Sequence, residues 1–360
     1  MSLIKPHHAR TIKVAILGIL VFGFAFIFAH SLFSRLGQKD EVSLSGRTMG
    51  TTYHIKYIDD KLAMNSQQVQ KNIDEVLKEV NQQMSTFIPS SEISRFNQFR
   101  EINTPFPISK DFATVVETAM HLNKVTDGAL DITVGPLVNI WSFGPTKRSD
   151  TEPSAEKIAQ TLKTVGIDKL KVFKKGDQYY LEKSVPQLYV DLSSIAKGFG
   201  VDKVAEYLAS LGVKNYMVEI GGEIHAEGNN ERGIPWEIGI EDPMYNGQRA
   251  VQRVVGLYDK GMATSGDYRN YFEQNGKRFT HEIDPTTGYP VQHHLASITV
   301  IAKNTMIADG LSTGLFVLGE KRAMEVAEKN NIAIYLIIKQ GDKFVTQASP
   351  AFARLINGEK

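Results

Sequence analysis

The sequence predicts an α+β protein with mixed or antiparallel sheets and flanking helices, preceded by an N-terminal transmembrane segment. Three observations lead there. Strand and helix signals follow one another without strict alternation, which argues against a doubly wound parallel sheet. The 360 residues are 42% hydrophobic and 22% charged with Gly 29 and Pro 13, an ordinary globular composition ample for a large core. The third is an uncharged apolar run from Val14 to Phe33, broken only by His30 and Ser31. As a helix it spans about 30 Å, the thickness of a bilayer core.

Lys5, Arg10 and Lys13 precede that run, and no acid does. Basic flanks stay cytoplasmic, so the rest of the chain is expected outside. A cleaved signal peptide competes with this reading, because Ala29-His30-Ser31 places small residues where a signal peptidase reads. The run exceeds a signal core of about 7–15 residues, which favours an uncleaved anchor. Residues 1–40 are therefore a stub, the anchor or signal (14–33) and a short linker; 41–360 are one folded, exported domain. Lys+Arg 41 against Asp+Glu 40 carries no signal for nucleic acid. The absence of Cys excludes disulfides, thiolate metal sites, a cysteine nucleophile and a lipidated N-terminal cysteine.

The elements follow in order. Val42–Ile58 reads as one or two strands, with Thr51, Thr52, Tyr53, Ile55 and Tyr57 favouring pleated structure. Ser66 opens a long helix, since Val69, Ile73, Val76, Leu77, Val80 and Met84 recur at three- and four-residue spacing. Ser109 caps a second helix that stops before Gly128, and Ser154–Val165 forms a third. Lys174-Lys-Gly-Asp177 turns a hairpin. Leu188–Leu192 reads as a short strand, and Ser194–Leu211 as a helix despite Gly198 and Gly200. Strands are expected at 216–220, 223–226, 236–240, 251–258, 297–302 and 333–338, with helices at 306–318 and 321–329. The polar stretch Thr146–Pro153 is a candidate seam.

Several motifs fail. Gly198-Phe-Gly200 lacks the third glycine of a dinucleotide fingerprint. Gly310-Leu-Ser-Thr-Gly314 matches G-x-S-x-G, but apolar residues at helical spacing bury its serine inside a helix, where no nucleophile elbow forms. His293-His294 reads as a solvated turn, because adjacent histidines do not face one way.

Four polar segments remain. Asp191-Leu-Ser-Ser-Ile-Ala-Lys-Gly-Phe-Gly200 leads a strand end into a helix N-terminus, which suits an anion, with Lys197 in the first turn. Simple capping by Asp191 or Ser193 explains it equally well. Asp309 and Thr313 are four apart on one helix face, a hard oxygen pair that fits Mg²⁺; a capping Asp and a Thr bonded to its own backbone is the plainer alternative. His281 precedes a turn begun by Asp284-Pro285 and closed by Gly288. It is either a proton acceptor near neutral pH or a structural histidine. Met262–Tyr268 reads as a glycine-containing loop with two hydroxyls and an acid. Together these describe a Mg²⁺-assisted phosphoryl site.

The order of longer motifs adds a resemblance. These are Arg47-Thr-Met-Gly-Thr51, Met84-Ser-Thr-Phe87, Ser91–Asn97, Asp127-Gly-Ala-Leu-Asp131 through Asn139, Val190–Gly198, Glu219-Ile-Gly-Gly-Glu223, Ala263–Asp267, His281–Gly288 and Ala308–Gly314. From about 42 to 345 the chain resembles the ApbE family of FAD:protein FMN transferases, whose domain is T-fold-related. The resemblance implies flavin contacts by Met49, Phe87, Ala129, Leu130, Asp131, Asp191, Lys197 and Ile283. It implies Mg²⁺ held by the Ser194 carbonyl, Asp309 and Thr313, with His281 as the base. Phe87 lacks the hydroxyl of a tyrosine. Gly221-Gly222 would let the backbone approach the cofactor closely. In the implied reaction FAD is the donor, a Thr hydroxyl of an acceptor protein attacks the FMN phosphorus, and AMP leaves. Mg²⁺ would bridge the diphosphate. Implied acceptors are subunits of Na⁺-translocating NADH:quinone oxidoreductase or Rnf-type complexes, reached from the bacterial inner membrane with the catalytic domain in the periplasm. A FAD pyrophosphatase and a non-enzymatic flavin-binding protein are the rival readings.

Overall fold

A computed structural model describes residues 40–143, 152–242, 250–266, 271–274, 277–280, 282–341 and 343–358. The expected membrane segment at 14–33, residues 146–151 of the expected seam, and His281 lie outside these residues. Among the described residues no helix is long and apolar enough to cross a membrane.

The chain begins with a hairpin, β1 (Glu41–Thr48) and β2 (Thr51–Ile58). Met49 and Gly50 turn it with φ of 49° and 74°, the left-handed pair that matches strand twist. Helix α1 (Ser66–Met84) is capped by Asn65, whose side chain accepts from Gln68 N, one residue before the expected start. Its predicted stripe is buried at Val69, Ile73, Leu77, Val80 and Met84. Each such aliphatic contributes about 1.5–3 kcal/mol. Short elements follow, α2 (Glu92–Gln98) and β3 (Phe106–Ile108). Ser109 then caps α3 (Lys110–Val125) through Phe112 N, as expected. Next come α4 (Gly135–Ile140), α5 (Ala155–Leu162) and the hairpin β4 (Leu170–Lys175) and β5 (Gln178–Lys183). Helix α6 (Ala196–Ser210) precedes β6 (Tyr216–Ile220), β7 (Glu223–Glu227), β8 (Trp236–Asp242), β9 (Ala250–Leu257) and β10 (Lys260–Gly266). The remainder is β11 (Tyr271–Gln274), β12 (Lys277–Thr280), β13 (Leu295–Ala302), α7 (Thr305–Lys329), β14 (Ala333–Gln340), β15 (Lys343–Ala348) and α8 (Pro350–Ile356).

An eight-stranded sheet runs in the order β1-β2-β6-β7-β10-β13-β14-β15. Each neighbouring pair in it is antiparallel, so the expected mixed character resolves to an antiparallel sheet. Helices α1, α6 and α7 pack on it, and α6 also packs on α7. The β8-β9 ribbon and α8 share a separate apolar cluster with side chains of β7, β10, β13 and β14, including Trp236, Met262, Ile301, Tyr335 and Phe352. The small sheet β3-β5-β4 sits against α3.

Four expectations change. Residues 188–192 are not a strand. Their backbone is instead paired by a side chain: Asn97 donates to the Val190 carbonyl at 2.8 Å and accepts from Val190 N at 2.7 Å. Residues 262–266, read as a loop, lie in β10, in the middle of the large sheet. The helices expected at 306–318 and 321–329 form one element, interrupted at Gly319, whose φ of 74° and ψ of 171° are not helical. Ser312 does sit inside that helix. The glycines of its G-x-S-x-G run are packing residues: a Cβ at Gly310 would lie 2.6 Å from Leu122, and one at Gly314 2.8 Å from Thr126. His293 is not merely solvated. Its Nε2 lies 2.7 Å from the Phe316 carbonyl, and its ring meets the Phe316 ring edge-on.

Candidate active site

The α6–α7 contact sets the site. Asp202 of α6 accepts from Thr305 N and Met306 N, both at 2.9 Å, and so holds the first turn of α7. Asn304 caps the same turn through Ile307 N at 3.0 Å. One turn on, Asp309 is 2% exposed and its Oδ2 accepts from Gly198 N at 2.8 Å. The helices meet this closely because residue 198 is glycine; a Cβ there would stand 2.4 Å from the Thr305 carbonyl oxygen. Gly200 has the same role toward Met49, whose Cε would lie 2.7 Å from an added Cβ. The N-terminus of α6 is thus spent in part on the protein itself. Ser193 N donates to Asp191 Oδ1 and Gly198 N to Asp309, so the anion cradle expected from sequence is smaller than a bare helix end.

Above this contact lies a cleft of about 510 Å³. Ten of the twelve residues singled out from sequence line it. Phe87 stands on the α1–α2 loop, 75% exposed. Ala129, Leu130 and Asp131 line it, as does Ile283. Asp191, Ser194 and Lys197 approach from the entry to α6, and Asp309 and Thr313 from α7. Met49 is not among the lining residues; it is half-buried against the apolar core. His281 is outside the described residues, though its neighbours Glu282 and Ile283 line the cleft. Asp284, Pro285 and Gly288 form the expected turn, with Gly288 N on the Asp284 carbonyl at 2.8 Å.

Asp131 is largely engaged by its own surroundings. Its carboxylate accepts from Thr133 N and Oγ1 and from Ile167 N. Burial pushes it above the usual carboxylate range, and those bonds pull it back. Glu223, to which sequence reasoning gave no role, also lines the cleft and is 4% exposed. Lys197 Nζ donates to Glu223 Oε1 at 2.8 Å and lies 3.6 Å from Asp309 Oδ1. Burial opposes the lysine's charge, but Asp309 and Glu223 more than offset it and hold Lys197 above its ordinary value. Burial pushes Glu223 up to about 7, against the pull of Lys197. Asp309 is raised by burial, again with Lys197 opposing. The signal for Glu223 was an acid at the start of a strand directly after Gly221-Gly222, where a core position is expected. Thr264 and Ser265, the two hydroxyls of the Met262–Tyr268 segment, line the cleft from a strand, β10, rather than from the expected loop. Ser265 Oγ is 2.9 Å from Ser312 Oγ and 3.5 Å from Thr313 Oγ1.

Among the described residues no three His, Cys, Asp or Glu side chains group to hold a metal. The donors present fit Mg²⁺ nonetheless. One buried carboxylate, one hydroxyl and a carbonyl are hard oxygens, and Mg²⁺ takes few protein ligands and leaves room for substrate phosphates.

A profile described as the ApbE family matches residues 49–336. The chain belongs to the ApbE family. A Haemophilus influenzae relative named FAD:protein FMN transferase is 58% identical over 332 residues, 92% of this chain and 96% of that protein. The solved flavin transferase ApbE from Vibrio cholerae superposes with a TM-score of 0.81 at 49% identity, covering 88% of this chain and 99% of that one. The apo form of the Pseudomonas stutzeri flavinyl transferase ApbE gives 0.81 at 39% identity, covering 89% and 98%. The ApbE-like α+β architecture expected from sequence is therefore the fold of this chain.

Proposed function

We propose that the chain is a Mg²⁺-dependent FAD:protein FMN transferase, moving FMN from FAD to a Thr hydroxyl of an acceptor protein and releasing AMP. The observation that carries this reading is the polarity of the cleft. Its lining combines the apolar Leu130, Val138 and Ile283, fit for a flavin ring, with the polar Lys197, Asp309 and Thr313, fit for a diphosphate. Asp309, Thr313 and the Ser194 carbonyl would hold Mg²⁺, which supplies charge neutralisation at the diphosphate. Lys197 adds a second cation toward the same oxygens. Met49, Phe87, Ala129, Asp131 and Asp191 complete the flavin site. His281 takes the proton of the attacking hydroxyl; the new P–O bond forms as the diphosphate linkage to AMP breaks. Residues 41–360 form the transferase domain. The apolar run at 14–33, with Lys5, Arg10 and Lys13 before it, supports an inner-membrane anchor with that domain in the periplasm. Acceptors there are Thr-bearing subunits of Na⁺-translocating NADH:quinone oxidoreductase or Rnf-type complexes.

Mass spectrometry tests this directly. The full chain is mixed with FAD, Mg²⁺ and such an acceptor subunit, with and without chelator. A gain of one FMN on the acceptor, lost with chelator and in Asp309→Ala, is expected. AMP and free FMN without acceptor modification would make the protein a pyrophosphatase, and unchanged bound FAD a flavin carrier.

A further inference from the structure

At the floor of the cleft one ammonium serves two carboxylates. Lys197 is 2.8 Å from Glu223 Oε1 and 3.6 Å from Asp309 Oδ1. The two acids are held differently. Asp309 keeps its Oδ2 on Gly198 N, which fixes the carboxylate and presents Oδ1 to the cleft. Glu223 has only Oε1 engaged; its Oε2 is buried without a hydrogen-bond partner. A buried carboxylate oxygen left unpaired is costly, so a fold that retains one has a use for it. A divalent cation on Asp309 Oδ1 would arrive within a few ångströms of the lysine ammonium, and at that range like charges repel strongly in a half-buried site. The lysine then needs another carboxylate within reach, and its ammonium favours the charged form of Glu223.

We propose that Glu223 is a positioning residue for Lys197: it keeps the ammonium when a divalent cation takes Asp309, its open Oε2 offering the second carboxylate contact that replaces the ion pair with Asp309. Lys197 and the cation thereby occupy the floor together, each with its own carboxylate. This rests on the reading of Asp309 as a metal ligand. Without Glu223, Lys197 pairs with Asp309 alone and competes with the cation for Oδ1.

The test is Mn²⁺ binding to the FAD-free full-length chain, read by electron paramagnetic resonance, so that turnover is not the readout. Asp309→Asn should abolish binding at the site. Glu223→Gln should weaken Mn²⁺ about tenfold, the size of effect one close charge exerts on another. Lys197→Met should bind Mn²⁺ at least as tightly as the wild type, because the competitor is gone. In Glu223→Gln/Lys197→Met the weakening should disappear, and Glu223→Asp should stay near the wild type. A Glu223 that only props up the fold predicts the reverse for the double variant, which would then be as weak as Glu223→Gln or weaker. That result, or unchanged affinity in Glu223→Gln, overturns the proposal while leaving the metal site standing. Mn²⁺ binding that survives Asp309→Asn overturns the metal reading and this inference with it. If Glu223→Gln does not fold, Lys197→Met alone decides, since looser binding there contradicts the competition.

Discussion

Lys183 and Lys197 both reach into this protein, and their surroundings divide its structure from its chemistry. Lys183, on β5, is 1% exposed. Its ammonium donates to the Phe96 and Leu188 carbonyls, both at 3.2 Å, and sits 4.9 Å over the Phe96 ring. Carbonyls and a ring face satisfy protons but supply only partial charge. Burial, with Arg100 nearby, therefore pulls Lys183 from 10.5 down to about 8. Lys197 faces two carboxylates and is held above its ordinary value despite burial. The first lysine is a fastener between α2, β5 and the 188–192 segment. The second is a charge kept available at the cleft, and only it has counter-charges that a ligand could displace.

The comparison breaks most plainly at the level of activity. Lys197→Met should lower kcat/KM for FMN transfer by about 10²-fold or more, as loss of a charge aimed at a transferring phosphoryl group does. Lys183→Met should leave it within about twofold. Equal losses in steady-state assays of the two variants would mean that Lys183 also reaches the site, and the division would be wrong.

The next effect is on stability and sharpens the Lys197 side. Gly198→Ala puts a methyl 2.4 Å from the Thr305 carbonyl oxygen and 2.7 Å from Asp309 Cβ, against backbone that has nowhere to go. It should cost about 3 kcal/mol in urea unfolding. It should also weaken Mn²⁺ binding, because Asp309 is carried on the displaced helix. A mild, purely thermal effect with intact metal binding would show that the α6–α7 contact does not set the site.

Asn97→Ala probes the Lys183 side. It leaves the buried Val190 N–H and carbonyl without their partners. The expected cost is about 2 kcal/mol by the same unfolding measurement. Asp191 follows directly, so FAD affinity should fall as well, whereas Lys183→Met should spare it.

Long periodic elements were legible because one face of each is buried: the α1 stripe needed nothing but its own spacing, and β1–β2 only the β-favouring residues along it. The Asp309–Thr313 pair was legible for the same reason, being four apart on a helix. What stayed hidden depends on partners distant in the chain. Residues 188–192 look like a strand because they are apolar, yet Asn97 supplies the pairing that a ladder would have given. β10 carries Thr264, Ser265 and Gly266, polar and turn-like by type, and becomes a strand only because β7 and β13 flank it. Glu223 gained its place from Lys197, 26 residues earlier in the chain. Motif order across the chain identified the family, while the charge-sharing at the cleft floor needed coordinates.

The smallest effect at any single pH is also the most specific for the contrast. Lys183 titrates near 8 in the folded chain and near 10.5 when unfolded. Between those values the unfolded state binds more protons, so stability attributable to this group rises with pH. Relative to Lys183→Met, the wild type should therefore gain up to about 2 kcal/mol between pH 8 and pH 10. Below pH 8 the gap should be flat, since the residue is protonated in both states. Lys197 is raised instead, so its contribution is fully present below the ordinary lysine value and is lost only as pH climbs beyond it. Lys197→Met also frees Glu223 and Asp309, which the lysine holds down, to titrate higher, so its curve carries their slope as well. Denaturant titrations of the wild type and Lys183→Met across pH 7 to 10 therefore read the clean contrast. A flat gap for Lys183 would mean that carbonyls and a ring face hold a buried ammonium as well as carboxylates do.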